Sequence, residues 1–488
     1  STEPPVIEGE FPEGASPEKP KRTRLKAVEP DGSIPDDTPA LPQPLSEQAL
    51  AAAWVEQHGK DWRYVEVWKR WFEWNGAVWA KVEGNKHFEL AANITRQALT
   101  WTEAQKISDD QRRKLCSARI AASLLSFVKA DPKIEAYTAQ WDADPWKLAT
   151  PEGVIDLKTG LIVESSREQY CTKSTSVAPS ATGDGEPTLW LQCLARWFGD
   201  DQALVSYAQL FAGYAATGAT SEKMFLFVYG GADTGKSTFV EVLMAVLGDY
   251  AQSASMDTFA ESKQDRHTTE LAELAGARFV TAPETQEGRK WNQARINQLT
   301  GKDRVRARYM RMDNFEYIPQ FKLLVYGNYA PHVNNVDGAM RRRIHILPFN
   351  HPIPREEQDS TLDLKLKAEY PNILRWIIEG CLQWQQSGLT MPETMQGAID
   401  KYLDAEDSFG EWIAECVERR AEAFTSRKLC YRSFRDWCEA NGEHAVGSKR
   451  FSQKLELHGF ERGKQSHERG FKNMLLKTTY EVSPSFNK

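Results

Sequence analysis

The sequence contains no uninterrupted apolar run near the roughly 20 residues that a membrane helix needs. Its first residues are polar and proline-rich, which excludes a secretory signal there. Cysteine is sparse, with seven residues spread from Cys116 to Cys438 and no C-x-x-C pair. An odd number at such spacing excludes a disulfide framework or a cysteine zinc site. It points to reduced core thiols of a cytosolic protein. Positive charge is in deficit, with a net charge of −7. A uniformly basic nucleic-acid coat is therefore excluded, but local basic patches are not, and binding depends on those. What is present is ordinary for a globular chain: 488 residues, 41% apolar and 26% charged, enough for two to four domains.

Residues 1–45 are rich in Pro, Glu, Asp, Lys and Gly, and are expected to form a flexible tail or linker. The chain opens on Ser1 and not Met, a hint of a longer product. Residues 46–186 have a mixed α+β texture. WFEW and AVWA flank Asn75-Gly76, a strong hairpin signal. The tryptophans there read as a hydrophobic core and not as a base-stacking platform. Helical stretches are expected around Phe88–Leu99 and Asp109–Ala130. Asp142 and Asp144 match a two-metal D-x-D pair. Pro145 follows at once and no apolar strand clearly precedes, so a plain loop is the better reading. A hairpin turns at Lys158-Thr159-Gly160.

Residues 187–390 alternate apolar runs with helical patterns, which predicts an α/β unit: a parallel sheet with helices on both faces. Within it Gly230-x4-Gly235-Lys236-Ser237 fits the phosphate-loop pattern. MFLFVY before it reads as a buried strand, and FVEVLMAVL after it as a helix. That arrangement turns successive N–H groups inward as an anion nest at a helix start. Gly230, Gly231, Ala232, Asp233, Thr234 and Gly235 would form the loop. Lys236 would reach the β- and γ-phosphates of ATP, Ser237 would hold Mg²⁺, and Thr238 would add a phosphate contact. ARFVTAPETQEG supplies an acid just past a strand at Glu284, with Glu287 as second choice, to hold Mg²⁺ and polarise water. FKLLVYGN ends a further strand at Asn328, a candidate hydrogen-bond donor to the γ-phosphate and the attacking water.

Between that acid and that asparagine lies KDRVRARYMRMDNFEYIPQ. Arg304, Arg306 and Arg308 alternate with Val305, Ala307 and Tyr309, the period of a strand. A hairpin is expected with one basic face (Lys302, Arg304, Arg306, Arg308) and Arg311 near its tip, suited to a phosphate backbone. Arg341, Arg342 and Arg343 then precede a strand, and one of them could act across a subunit boundary as an arginine finger.

This order of parts resembles the superfamily III helicases of the AAA+ class. More narrowly, it resembles the phage and plasmid primase–helicase family, related to the poxvirus primase–helicase. The phrases that carry the likeness are GYAATGATSEKMFLFVYGGADTGKST, ETQEGRKWNQARINQLTGKDRVRARYMRMDNFEYIPQFKLLVYGN and DGAMRRRIHILPF, with WFEWNGAVW and TPEGVIDLKTG upstream. The resemblance implies an AAA+ phosphate-loop core and a collar-type domain over residues 46–186. It implies a homo-oligomeric, hexameric ring with ATP at subunit interfaces and single-stranded or forked DNA in the channel. It makes Lys236 and Ser237 the ATP and Mg²⁺ residues, Glu284 the catalytic acid, Asn328 the sensor, Arg342 the first choice of finger with Arg343 next, and the hairpin the DNA-tracking loop. Many members carry two adjacent acids where this chain has Pro283-Glu284-Thr285, so Glu284 takes both roles or shares them with Glu287. No primase motif set is evident; the resemblance implies a primase or initiator as partner from the same mobile element, in the cytoplasm of a bacterial host or a virus-infected cell.

After a linker near Met391–Gln396, residues 404–488 read as a winged helix: two helical patterns and two short strands around a basic loop. Arg427–Lys477 holds twelve Lys/Arg against six Asp/Glu, with Lys449, Arg450 and Lys454 on the helix expected to enter DNA. Two rivals to a replicative helicase stay open: a DNA-translocating motor without strand separation, and an initiator whose ATP site is a switch.

Overall fold

The computed structural model describes residues 45–261, 268–284, 289–308, 314–331, 338–405, 408–441 and 445–477. Its centre is a sheet of five parallel strands. In spatial order these are Ile344–Pro348, Phe225–Tyr229, Lys322–Gly327, Phe279–Glu284 and the short edge strand Ala251–Ser253. The inner strands are apolar almost throughout because both faces are covered. Alternate residues divide cleanly. Leu226, Val228, Leu324 and Leu347 face Trp190, Phe211, Phe239 and Ile377 on helices Thr188–Phe198, Gln202–Ala216, Lys236–Leu247 and Tyr370–Ser387. Phe225, Phe227, Val325 and Ile346 face Ile296 and Leu299 of helix Gln293–Thr300 and Ile399 and Leu403 of helix Glu393–Ala405. The α/β layering expected of this region is therefore observed.

Helices Gln202–Ala216 and Tyr370–Ser387 cross at contact distance through two glycines. A Cβ on Gly213 would lie 2.0 Å from Cys381 N, and one on Gly380 would lie 2.2 Å from Gln209 O. Neither position tolerates a side chain without the helices parting.

Upstream, helices Glu47–His58, Lys86–Gln97 and Ala118–Lys129 pack on the antiparallel sheet Trp62–Val65, Arg70–Trp74, Trp79–Lys81. Asn75 closes the expected hairpin: its Oδ1 accepts from the N–H groups of Ala77 and Val78, and Gly76 takes φ 103°. Trp54, Trp62 and Trp71 are buried among one another and Trp79 is buried beside Trp74 and Trp141, which is the core role and not a stacking platform. Asp142 accepts from the backbone and hydroxyl of Thr172, and Asp144 from Trp146 N, so the D-x-D pair fixes loops. The helix expected over Asp109–Ala130 is two helices, because Ser117 caps a new one at Ala118. A second sheet, Lys147–Thr150, Gly153–Asp156, Leu161–Val163, sends Leu148, Ile155 and Leu157 into the core around Trp190.

Two strands of the central sheet begin on buried cations. Arg278 donates to the carbonyls of Ala216 (2.9 Å), Lys147 (2.7 Å) and Asp144 (3.3 Å). Lys322 donates to the Thr217 and Gln320 carbonyls and lies 4.6 Å from the Tyr214 ring centre. Burial, with Arg278 beside it, pushes Lys322 well below its ordinary pKa. Carbonyls at a helix end suit cations.

The linker expected near Met391–Gln396 is not a linker. Helix Glu393–Ala405 starts there, and Met395 is fully buried in the core. Beyond it, helix Ser408–Cys416, strand Val417–Ser426, helices Arg427–Ala440 and Ser448–Leu457, and strands Arg462–Gln465 and Glu468–Leu476 close a separate core around Trp412, Phe434 and Phe451. The ten-residue strand Val417–Ser426 was not anticipated; its charges (Glu418, Arg419, Arg420) hide it from a hydrophobic pattern. Among the described residues all seven cysteines are free. Burial raises the thiols of Cys171, Cys193 and Cys381 to about 11 and that of Cys430 to about 12.

His345, inside the strand Ile344–Pro348, is buried with its Nδ1 2.5 Å from the Tyr207 hydroxyl, and burial lowers its pKa to about 4. The unfolded chain binds a proton at this site below pH 6.5, and the folded chain does not until about pH 4. Its contribution is therefore full above pH 6.5 and is lost as pH falls through that window, about 3 kcal/mol in all. Unfolding midpoints of the wild type should drop between pH 7 and pH 5 by more than those of His345→Gln. Parallel pH profiles would remove His345 from the acid sensitivity.

Candidate nucleotide site and basic hairpin

In the four long strands the register brings the C-terminal ends level. Tyr229 pairs with Gly327 on one side and Pro348 on the other, and Gly327 pairs with Glu284. The residues that follow Tyr229 and Gly327 are the glycine loop and Asn328. Three candidate groups, 54 and 44 residues apart in sequence (284 − 230 and 328 − 284), thus share one edge. The glycine-loop strand lies where the sheet order reverses, the position at which open α/β sheets hold ligands.

The loop itself is placed by close packing. A Cβ on Gly230 would lie 2.0 Å from the carbonyl of Phe349, and one on Gly235 would lie 2.1 Å from Trp197 Nε1. Gly235 also takes φ 90°, which an L side chain rarely adopts. Ile353 N donates to the carbonyl of Asp233 at 2.8 Å, fixing the far side of the loop. Gly231, Ala232 and Asp233 are exposed, and nothing would meet a Cβ on Gly231. Lys236 opens the twelve-residue helix, and no side chain caps that helix start. Elsewhere Ser46, Ser117, Asp201 and Ser426 cap theirs. Uncapped N–H groups behind an open loop are the donor set for a phosphate.

Lys236 is buried. Its Nζ donates to the Gly231 carbonyl and to Thr234 Oγ1 at 3.1 Å, so the ammonium lies over the loop. Burial lowers its pKa, opposed by Asp233. Ser237 is exposed in the first turn and Thr238 half-buried. Glu284 is the last residue of its strand, not one beyond it, and is buried. Asn328 is exposed directly after Gly327. One strand, Lys322–Gly327, separates the strand of Glu284 from that of the loop, so the acid stands about 10 Å from the loop strand. Among the described residues no three His, Cys, Asp or Glu side chains cluster as a metal site. The exposed hydroxyl of Ser237 and the carboxylate of Glu284 are hard oxygen donors, which fit Mg²⁺ completed by phosphate and water. Glu287 lies outside the described residues.

The basic hairpin forms as expected. Val305–Arg308 pairs antiparallel with Asn314–Tyr317, from Val305↔Tyr317 to Arg308↔Asn314. Val305 and Ala307 are buried, while Lys302, Arg304, Arg306 and Arg308 are exposed. Arg311 lies outside the described residues. Tyr317 anchors the return strand by donating to the Leu271 carbonyl at 2.6 Å.

Arg341, Arg342 and Arg343 end a short helix, Gly338–Arg343, directly before Ile344. Ile344 pairs with Phe225, at the sheet edge opposite the glycine loop. A five-residue strand, about 16 Å, therefore separates these arginines from the loop of their own chain. Arg341 pairs with Asp400 at 2.5 Å, Arg342 is exposed, and Arg343 is half-buried with Nε lacking a hydrogen-bond partner among the described residues. In the C-terminal unit Lys449 and Arg450 are exposed, but Lys454 is half-buried with its ammonium 5.4 Å from the Phe409 ring centre. Sequence reasoning missed Trp197 and Phe349, which position the loop from 38 and 119 residues away (235 − 197 and 349 − 230). Only their aromatic character in helical and strand patterns could have marked them.

A parallel sheet carrying such a loop at its switch point is compatible with a phosphate-loop core. Residues 51–199 match the family described as D5 N terminal like, and residues 228–343 match a family of unknown function (DUF5906). Three relatives from large DNA viruses carry the name "Putative helicase". L207/L206 of Acanthamoeba polyphaga mimivirus is 20% identical over 62% of this chain and 34% of its own. The 022R protein of Frog virus 3 is 24% identical over 47% and 26%, and 184R of Invertebrate iridescent virus 6 is 21% identical over 67% and 39%. The chain thus spans about a quarter to two fifths of these relatives' length. The apo structure of the NrS-1 C-terminal region aligns over 87% of this chain and 98% of its own, at 10% identity and a TM-score of 0.48. Together these likenesses support a phage or viral primase–helicase family.

Gly235→Ala tests the loop geometry. Forcing φ 90° on alanine against the Trp197 indole should weaken binding of a fluorescent ATP analogue about tenfold or more, in line with the 1–3 kcal/mol that such backbone strain costs. The circular dichroism spectrum should stay that of the wild type. Undiminished binding would show that the loop does not need this conformation.

Proposed function

We propose that the chain is an ATP-dependent replicative DNA helicase of superfamily III, built on an AAA+ core, that works as a homo-oligomeric, hexameric ring on single-stranded DNA. The observation that carries this reading is the shared edge of the glycine loop, Glu284 and Asn328, with the basic hairpin leaving the acid strand and rejoining the sheet at Lys322, on the opposite edge. The helicase names of the viral relatives support it.

In this reading the loop N–H groups and the start of helix Lys236–Leu247 bind the phosphates of ATP. Lys236 exchanges the Gly231 carbonyl for the β- and γ-phosphates. Ser237 and Glu284 hold Mg²⁺, which when bound neutralises charge on the phosphates. Glu284, buried at its strand end, orients the attacking water, and the Asn328 amide donates to the γ-phosphate. Arg342, far from its own loop, acts on the nucleotide of a neighbouring subunit, with Arg343 as second choice. The hairpin cations track the DNA backbone. The C-terminal unit, with three helices and an antiparallel three-stranded sheet, is a winged helix whose Lys449 and Arg450 face duplex DNA or a partner such as a primase or initiator.

Lys236→Ala should abolish ATP turnover and unwinding of a forked duplex. Arg304→Ala combined with Arg308→Ala should lose unwinding and the stimulation of turnover by single-stranded DNA; a variant that unwinds normally overturns the hairpin assignment. Turnover without strand displacement in the wild type would favour a packaging-type motor, and slow turnover indifferent to DNA a switch. Mixing Arg342→Ala subunits with Lys236→Ala subunits should restore turnover, since the latter donate an intact arginine. No restoration would remove Arg342 as a finger acting in trans.

A further inference from the structure

At the base of the basic hairpin lies an open groove of about 460 Å³, between helix Gln293–Thr300, helix Thr268–Glu273 and strand Val305–Arg308. Leu271 and Val305 are buried beneath it, Ala294 is exposed on its wall, and among the described residues its polar lining is Asn292, Arg295, Gln298 and Arg306, none of them a carboxylate. Arg295 and Gln298 stand three residues apart on one helix and so share a face. Asn292 is held by its own cap, its Oδ1 accepting from Arg295 N at 3.0 Å, which also fixes the start of the helix that presents Arg295. Across the groove Arg306 belongs to the exposed row that includes Arg304 and Arg308, since residues two apart in a strand share a face. The groove is thus continuous with the basic face of the hairpin.

We propose that this groove is a second backbone subsite for single-stranded nucleic acid, in which Arg295 and Arg306 bracket one phosphodiester while its sugar lies against Ala294. The proposal rests on the reading of the hairpin as a nucleic-acid surface. Three features favour a phosphodiester. Two guanidiniums offer planar, bidentate donors that match phosphate oxygens. Gln298 adds a neutral donor. The volume falls within the range of sites that enclose a small organic group and exceeds what an ion needs. An acidic protein segment would be met by the same charges, but it would not explain the continuity with Arg304 and Arg308. The strand would then run off the hairpin onto the helix that follows the acid strand, and Arg295 would hold it where the hairpin strands begin.

The test is fluorescence anisotropy of a labelled oligo-dT with the full chain, over a range of salt. Arg295→Gln should bind about tenfold more weakly, with a salt slope reduced by about 0.7, the value for one lost phosphate contact on a single strand. Ala294→Glu, which sets a carboxylate in the groove without removing a cation, should weaken binding in the same way and guards against misfolding of the first variant. Arg304→Gln serves as the reference for the hairpin. If it weakens binding while Arg295→Gln and Ala294→Glu do not, the groove proposal is overturned and the hairpin reading stands. If none of the three changes binding, both fall. Unchanged oligo-dT binding with a loss of oligomer mass in Arg295→Gln would assign the groove to a neighbouring subunit and also overturn the proposal.

Discussion

The in-register alignment of four parallel strands is the constraint on which the rest of the molecule depends. Phe225–Tyr229, Phe279–Glu284, Lys322–Gly327 and Ile344–Pro348 are of nearly equal length and end level. A slip of one residue in any of them would turn its apolar set to the wrong layer, because side chains alternate with period two. The division between the Leu226–Val228 face and the Phe225–Phe227 face shows how tightly this is specified. The glycine loop, the acid and the asparagine are brought together as a by-product of hydrophobic sorting. Burial of the apolar strand side chains positions one glycine loop and two polar side chains.

The loop is held to a similar standard by contacts that are not chemical in role. Gly230 sits against the Phe349 backbone and Gly235 against the Trp197 indole, and Trp197 is itself packed on Trp190 and Phe349. The flexible-looking segment Gly230–Gly235 is therefore clamped on both sides. Such support keeps the backbone donors aimed at a fixed point, which is what a preorganised anion site requires. Lys236, with its ammonium tucked over the loop carbonyl of Gly231, is the one long side chain there that can redirect its hydrogen bonds.

Much of this was legible in the sequence, for physical reasons that differ from element to element. The buried strands announced themselves as continuous apolar runs, and the basic hairpin as strict alternation of Arg with Val and Ala. The Asn75-Gly76 hairpin followed from turn chemistry. What was not legible depended on tertiary context. Strand Val417–Ser426 carries four charges between Glu418 and Glu422, where it is exposed, because only its ends are buried. The helix at Glu393 reads locally as a proline-marked linker, yet Met395 is drawn into the core. Lys322 and Arg278 look like solvated strand starts, and both are fully enclosed, since carbonyls from another part of the chain receive them. The polar site residues were visible as residue types. Their common edge was not, because register is a long-range property.

Those two enclosed cations have a mechanical meaning. The strand that ends in Glu284 is preceded directly by Arg278, and the strand that leads to Asn328 begins with Lys322. Arg278 grips the backbone at Asp144 and Lys147, and both cations grip the end of the helix that closes at Ala216 and Thr217. A β-strand is stiff along its axis, so each of these two behaves as a push-rod about 20 Å long. No slack loop lies between the carboxylate or amide end and the carbonyls held at the far end, of which Lys147 opens the second sheet and Ala216 and Thr217 close a helix.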